Sequence, residues 1–370
     1  MMFKVEKKTI DASFPRTPGS TIYIEDRLQL VYSKFNFDSK PENKIRINLI
    51  FSHGTGMNKD LWTYYVRRIF TNDSDYYIGS CIAFDCVSHG DSAVVNQGKL
   101  GWIYAAIDGG RDVIKILENE QKIGDFLNNE TNRTILIGHS LGAQQSVFAS
   151  YLNENLFDTI VLIDPIIYSD EQFQKRFTSN FFKLGNLVED KFVSEKDATD
   201  FFIQRSFIRN FNREILQDIM KNEVYSNDKD KTFRCKSSKI SQMAVYGYTR
   251  LTIKDTHALL PMLKNKVFYI SGARSPYCTD KVNQFIRDNV KQLVGFTSIP
   301  NVGHLLNGEQ PDKVLTILQE LIREVGKNAI MNKNFYPNRS EPRSKILSTK
   351  LEIFNQGKTE QSNNFTKARL

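Results

Sequence analysis

Ser140 lies in the run Gly138-His139-Ser140-Leu141-Gly142, with a glycine two positions to either side. A serine hydroxyl attacks an electrophile only when a base takes its proton, and the usual base is a histidine held in one tautomer by a carboxylate. The chain has five histidines. His53 falls in the run His53-Gly54-Thr55-Gly56, His89 in a turn, His139 beside the serine, and His257 in a long interruption of the strand pattern. His304, in Asn301-Val302-Gly303-His304-Leu305-Leu306, remains as the candidate base. Asp164 is the candidate acid, ending the apolar run that starts at Thr159 and giving the chain order Ser, acid, His. Attack by such a serine would leave an oxyanion in need of two backbone donors. Leu141 N–H is expected to supply one and Thr55 N–H, flanked by Gly54 and Gly56, the other.

These groups converge only if particular elements carry them. Ile135, Leu136 and Ile137 read as a short strand, and Ala143 to Leu152 as a helix. A nucleophile at the turn between them sits in a strained backbone conformation, and the glycines let strand and helix pass closely. The helix N-terminus directs its unpaired N–H groups at an anion formed there. Further apolar runs at Ile45–Phe51, Ile78–Asp85, Thr159–Asp164, Lys266–Ser271 and Gly295–Ile299 read as strands, with an outer strand at Arg27–Phe37. Helical patterns lie between them, at Leu61–Ile69, at Ala105–Glu120 and, closing the fold, at Asp312–Val325. Residues 1–20 read as an irregular arm. The alternation predicts an α/β protein whose mostly parallel sheet is covered on both faces. His53, Asp85, Ser140, Asp164, Gly272 and His304 all fall at or just after strand ends, where chemistry collects in such sheets.

The strand pattern is interrupted between Ile166 and Asn265. Phe173, Phe177, Phe181, Phe182, Phe201, Phe202, Phe207 and Phe211 recur there at helical spacing. A helical cap whose apolar underside roofs the pocket is therefore expected at 166–265, with residues 1–165 and 266–326 as the core and 327–370 as a basic tail. That tail holds nine Lys and Arg against three Glu, so +6 of the net charge of +8 lies in it. The near-neutral body, with no basic, aromatic-interleaved stripe, argues against a nucleic-acid partner. The four cysteines lack metal-ligand spacing and fit a reducing compartment, so neither metal nor cofactor is expected. The first residues carry no apolar signal core, and no run is long enough to span a membrane. The chain ends in Ala368-Arg369-Leu370, a small residue, a basic residue and leucine, the pattern of a peroxisomal address read by an import receptor.

HGTG at His53–Gly56, FDCVSHGDS at Phe84–Ser92, GHSLGA at Gly138–Ala143 and VGHLL at Val302–Leu306 resemble the α/β-hydrolase superfamily. PRTPGSTIYIEDRL, HGDSAV, IDGGRDVIKI, GARSPYC and the terminal ARL are similar to the fungal peroxisomal lipases and related acyl hydrolases. The resemblance implies an α/β-hydrolase fold with a cap inserted after the strand ending at Asp164. It also implies a cofactor-free serine hydrolase of the peroxisomal matrix, a lipase or carboxylesterase acting on fatty acyl esters. An acyl-CoA thioesterase or acyltransferase is the alternative, a noncatalytic binding protein of the same fold a further one, and a homo-oligomer is compatible with all three. In one respect the chain departs from the superfamily, which usually carries its acid after the penultimate strand. Here that loop reads Gly272-Ala273-Arg274-Ser275. Its first carboxylate is Asp280, eight residues beyond Gly272, which makes Asp280 the rival to Asp164.

Overall fold

The computed structural model describes residues 3–37, 41, 44–69, 76–168, 183–331, 344–345, 347–348 and 351–352. Eight strands form its central sheet: β1 (Phe3–Asp11), β2 (Gln29–Phe37), β3 (Ile45–Ser52), β4 (Tyr76–Phe84), β5 (Asn132–His139), β6 (Thr159–Ile163), β10 (Lys266–Gly272) and β11 (Leu293–Ile299). They lie in the order β1-β2-β4-β3-β5-β6-β10-β11. β1, β2 and β4 pair antiparallel, and every other neighbouring pair is parallel. All nine residues of β4 are buried, as are all five of β6. Strands covered on both faces need no polar alternation, which is why these read in the sequence as unbroken apolar runs.

Each strand splits its side chains between two cores. Ile47, Leu49, Phe51, Ile135, Ile137, Val161 and Ile163 face one side, with Trp62 and Leu318 packed against them. Ile50, Leu136, Ile160 and Leu162 face the other, against Val113, Ile116 and Val147. The helices that matter for the site are α1 (Thr63–Arg68), α2 (Gly90–Val95), α3 (Ala106–Gln121) and α4 (Leu141–Leu152), followed by a closing helix at Pro311–Met331.

Two expectations are corrected. The first residues are not an irregular arm: Phe3–Asp11 pair with β2 through nine backbone positions, as the sheet's edge. An edge strand can expose its outer face, and Lys4, Glu6 and Lys7 do so, which hid the strand from a search for apolar runs. The stretch between β6 and β10 is not purely helical either. Besides helices at Glu195–Asp200, Arg213–Glu223 and Lys239–Leu259 it carries a small antiparallel sheet of β7 (Lys191–Phe192), β8 (Val224–Asn227) and β9 (Thr232–Cys235), ordered β7-β9-β8. Phe201, Phe202, Ile208, Phe211, Ile215 and Ile219 from this stretch belong to the first core, so the aromatic stripe there is packing. Phe173, Phe177, Phe181 and Phe182 lie outside the described residues.

Candidate functional site

β5 delivers the chain to Ser140, and α4 begins at the next residue. The turn between them is possible only because side chains are missing around it. A β-carbon on Gly138 would lie 2.2 Å from the Gly142 carbonyl oxygen, and one on Gly142 would lie 2.2 Å from the Ser52 carbonyl oxygen. Ser140 itself is held at φ 54°, ψ −110°. Such a conformation costs of order 1–3 kcal/mol and persists only where its surroundings fix it. Here its N–H donates to the Ile163 carbonyl at 3.1 Å, and its carbonyl accepts from Ala143 N at 3.1 Å and Gln144 N at 3.2 Å.

Asp164 leaves β6 with φ 42°, its side chain fully buried and its N–H donating to the Ile270 carbonyl at 2.7 Å. Its Oδ2 accepts Gly272 N–H at 2.8 Å. Its Oδ1 lies 2.6 Å from Nδ1 of His304 and 2.6 Å from the Ser275 hydroxyl. The other nitrogen of His304, Nε2, lies 2.9 Å from Ser140 Oγ. The partners assign the tautomer: Nδ1–H donates to the carboxylate, and Nε2 is left to accept the serine proton. Asp280, by contrast, opens the helix Asp280–Asn289, and it is Asp164 that His304 meets. A hydroxyl, an imidazole and a buried carboxylate in this series can remove a proton from Ser140 and stabilise the resulting imidazolium.

Three further histidines hold the loop His53–Gly56 beside the serine. A β-carbon on Gly54 would come within 3.3 Å of Ser140 Cβ and 2.8 Å of His139 Nδ1. Nδ1 of His53 donates to the Gly54 carbonyl at 2.8 Å, while its Nε2 accepts Cys86 N–H at 3.1 Å. Burial opposes a charge on this ring whereas Cys86 and Asp85 favour one. The hydrogen bonds decide the matter, because a nitrogen that accepts an N–H carries no proton. Nε2 of His89 accepts Gly56 N–H at 3.0 Å, and Nδ1 of the same ring donates to Ser88 Oγ at 3.0 Å. His139 donates from Nε2 to the His304 carbonyl at 2.9 Å. Burial, reinforced by His304, pushes the His139 pKa down to about 3, and burial pushes that of His89 well below its ordinary value. With Gly56 N–H bound to His89 and Met57 N–H bound to the Gly54 carbonyl, Thr55 N–H has no acceptor among the described residues. Leu141, first residue of α4, has no intrahelical acceptor for its own N–H. Leu141 directly follows Ser140, and Thr55 follows Gly54, the residue whose backbone approaches Ser140.

The stretch after β6 covers this loop. A β-carbon on Gly56, at φ 76°, would meet the Phe207 ring at 2.5 Å and the Gln242 amide oxygen at 2.8 Å. On the acid side, the Tyr277 ring stands edge-on to His304 at 4.6 Å and 75°, and packs with Ile166 and Ile253. His257 stands apart, stacked on Tyr168 at 5.2 Å. Among the described residues no group of His, Cys, Asp or Glu could hold a metal ion, and no helix is long and apolar enough to cross a membrane. Ala368, Arg369 and Leu370 lie outside the described residues. The structure brings Ser140, Asp164 and His304 together; the sequence did not point to His89 and His139 as struts, and showed Ser275 only as an uncharged residue in place of an acid. The one available signal was the hydroxyl at 275 in a loop where a carboxylate was expected.

Residues 49–317 match the model of the alpha/beta hydrolase family. The chain belongs to that family. The peroxisomal membrane protein LPX1 of Saccharomyces cerevisiae is 31% identical over 342 residues, which are 87% of either chain. The crystal structure described as the peroxisomal alpha-beta-hydrolase Lpx1 of the same yeast superimposes with a TM-score of 0.84 at 28% identity, over 96% of this chain and 98% of that one. A type I acyl-CoA thioesterase of Penicillium brevicompactum, mpaH, is 28% identical over 153 residues, 40% of this chain and 34% of the thioesterase. E-2-(acetamidomethylene)succinate hydrolase shares the fold, with a TM-score of 0.62 at 17% identity over 86% of this chain and all of that one.

Proposed function

We propose that the protein is a serine hydrolase that cleaves fatty acyl esters, a lipase or carboxylesterase, through an acyl-enzyme on Ser140. The observation that carries this reading is the placement of His304, with Nε2 at 2.9 Å from Ser140 Oγ and Nδ1 at 2.6 Å from Asp164 Oδ1. In the first step Oγ bonds to the acyl carbon as its proton passes to Nε2, and the carbonyl oxygen takes the negative charge toward Leu141 N–H and Thr55 N–H. Collapse breaks the bond to the alcohol oxygen, which leaves with the proton from His304. Water then repeats the sequence on the acyl-enzyme, releasing the acid and restoring Ser140. Asp164 stabilises the imidazolium at both stages.

Residues 166–265 act as the cap of a core made of 1–165 and 266–326, and the apolar contacts of Phe207 and Tyr277 around the site suit an acyl chain. The same steps would open a thioester, and the likeness to the fungal acyl-CoA thioesterase favours that second reading of the substrate. The names of the yeast relatives, one of them a peroxisomal membrane protein, support a peroxisomal location, and it is the terminal Ala368-Arg369-Leu370 that favours entry into the matrix through an import receptor. A reporter carrying the last residues should become punctate with a peroxisomal marker and disperse when the free terminus is blocked. The chemistry is tested by Ser140→Ala, which should keep the fold and lose p-nitrophenyl ester turnover by several orders of magnitude. Turnover within about tenfold of the parent would overturn the reading.

A further inference from the structure

Two donors share one oxygen of Asp164. His304 Nδ1–H and the Ser275 hydroxyl both meet Oδ1 at 2.6 Å, yet only the first lies on the proton path from Ser140. Ser275 is buried, and the loop around it is closed by its own N–H donating to the Gly272 carbonyl at 2.9 Å. Gly272 N–H in turn holds the other carboxylate oxygen at 2.8 Å. The Ser275 hydroxyl also accepts Tyr277 N–H at 3.2 Å, and the Tyr277 ring rests edge-on against His304. One hydroxyl therefore fixes the rotation of the carboxylate on one side of the imidazole and the start of the segment carrying the ring on the other.

We propose that Ser275 is a positioning residue for hydrolysis, which orients Asp164 and Tyr277 around His304 and, by sharing Oδ1, limits how strongly the carboxylate favours the His304 cation. The proposal rests on the serine-hydrolase reading of Ser140. Its physical basis is that hydrogen bonds to an ionised carboxylate disperse its charge, so removing one donor strengthens its pull on the other. The remaining groups around His304 do not replace this donor. His139 is a neutral ring at 5.0 Å, Tyr277 presents its edge, and Glu309, whose pKa burial raises against the pull of Arg209 and His304, acts from the helix after it.

The experiment is p-nitrophenyl butyrate hydrolysis from about pH 5 to 9 by the full chain and by Ser275→Ala, Ser275→Val and Ser275→Thr. Ala and Val should lower kcat about tenfold, the rate equivalent of one net hydrogen bond, with KM within about twofold. In both, the acid-side inflection of kcat/KM should move up by about half a unit. Thr, which keeps the hydroxyl in nearly the shape of Val, should bring kcat and the inflection back toward the parent. A parental kcat and inflection in Ala and Val, or a Thr variant as impaired as Val, overturns the positioning role. Should Val fail to fold, the comparison of Ala with Thr decides by the same criteria. Turnover that survives Ser140→Ala instead overturns the serine-hydrolase reading, and this proposal with it.

Discussion

The Nε2–H of His139 donates to the backbone carbonyl of His304 at 2.9 Å, across 165 residues of sequence. The residue before the nucleophile thus holds the loop that carries the base, while its opposite edge lies against Gly54 of the neighbouring loop. His139→Phe keeps a ring and removes the donor to a part-buried carbonyl. It is expected to cost about 1–3 kcal/mol of stability. Because His304 is then free to drift from Ser140, kcat should fall by about tenfold or more as well. Urea titration and steady-state kinetics measure the two effects, and an unchanged midpoint with parental kcat would show that the contact positions nothing.

The same buried rings set an acid limit. His139 is pushed to about pKa 3 and His89 well below the ordinary value, both first by burial. An unfolded chain takes up protons at these two rings near pH 6.5, whereas the folded one does not. Their stabilising contribution is therefore complete above about pH 6.5 and is lost as pH falls from there toward 3. Each ring contributes up to about 1.4 kcal/mol per pH unit. Asp60, which burial pushes up to about 6 against the pull of Lys59, acts in the opposite sense, as do Asp218, Glu223 and Glu309, whose pKa burial also raises. Between about pH 6.5 and 5 the parent should therefore lose more unfolding free energy than His139→Phe, which lacks one of the two imidazole rings. An equal or smaller loss in the parent over that range contradicts the neutral assignment of His139.

Replacement of the acids separates the two carboxylate candidates. Asp164→Asn keeps the shape and leaves His304 without a charged partner, a change that cost about 10⁴ in turnover in a related serine–histidine–aspartate system. Asp280→Asn alters only the first turn of the helix Asp280–Asn289 and should stay within about threefold of the parent. The reverse pattern would mean that His304 takes its partner from the loop after β10.

How far the sequence carried this account depends on the range of the interactions concerned. Ser140 was legible because its glycines, the strand before it and the helix after it are contiguous, and the sterics of Gly138 and Gly142 give the physical reason. Asp164 could be placed because it ends a buried strand beside β5, where a carboxylate can reach over Ser140. β1 was missed because an edge strand satisfies its backbone through β2 without burying its outer side chains. His89 and His139 read in the sequence only as a turn residue and the neighbour of the serine, because their partners, Gly56 and His304, are distant in sequence. Ser275 was seen as a departure, but its role needs the carboxylate of Asp164, 111 residues away, beside it.

The central claim is that Ser140 is the nucleophile and that His304 activates it. Intact-mass and peptide mapping after exposure to a fluorophosphonate test it most directly, since the reagent reacts with an activated serine hydroxyl and not with an ordinary one. A single adduct on Ser140 is expected, absent in Ser140→Ala and slowed by at least about a hundredfold in His304→Ala. Folded parent protein that stays unlabelled, or that is labelled at another residue, would contradict it.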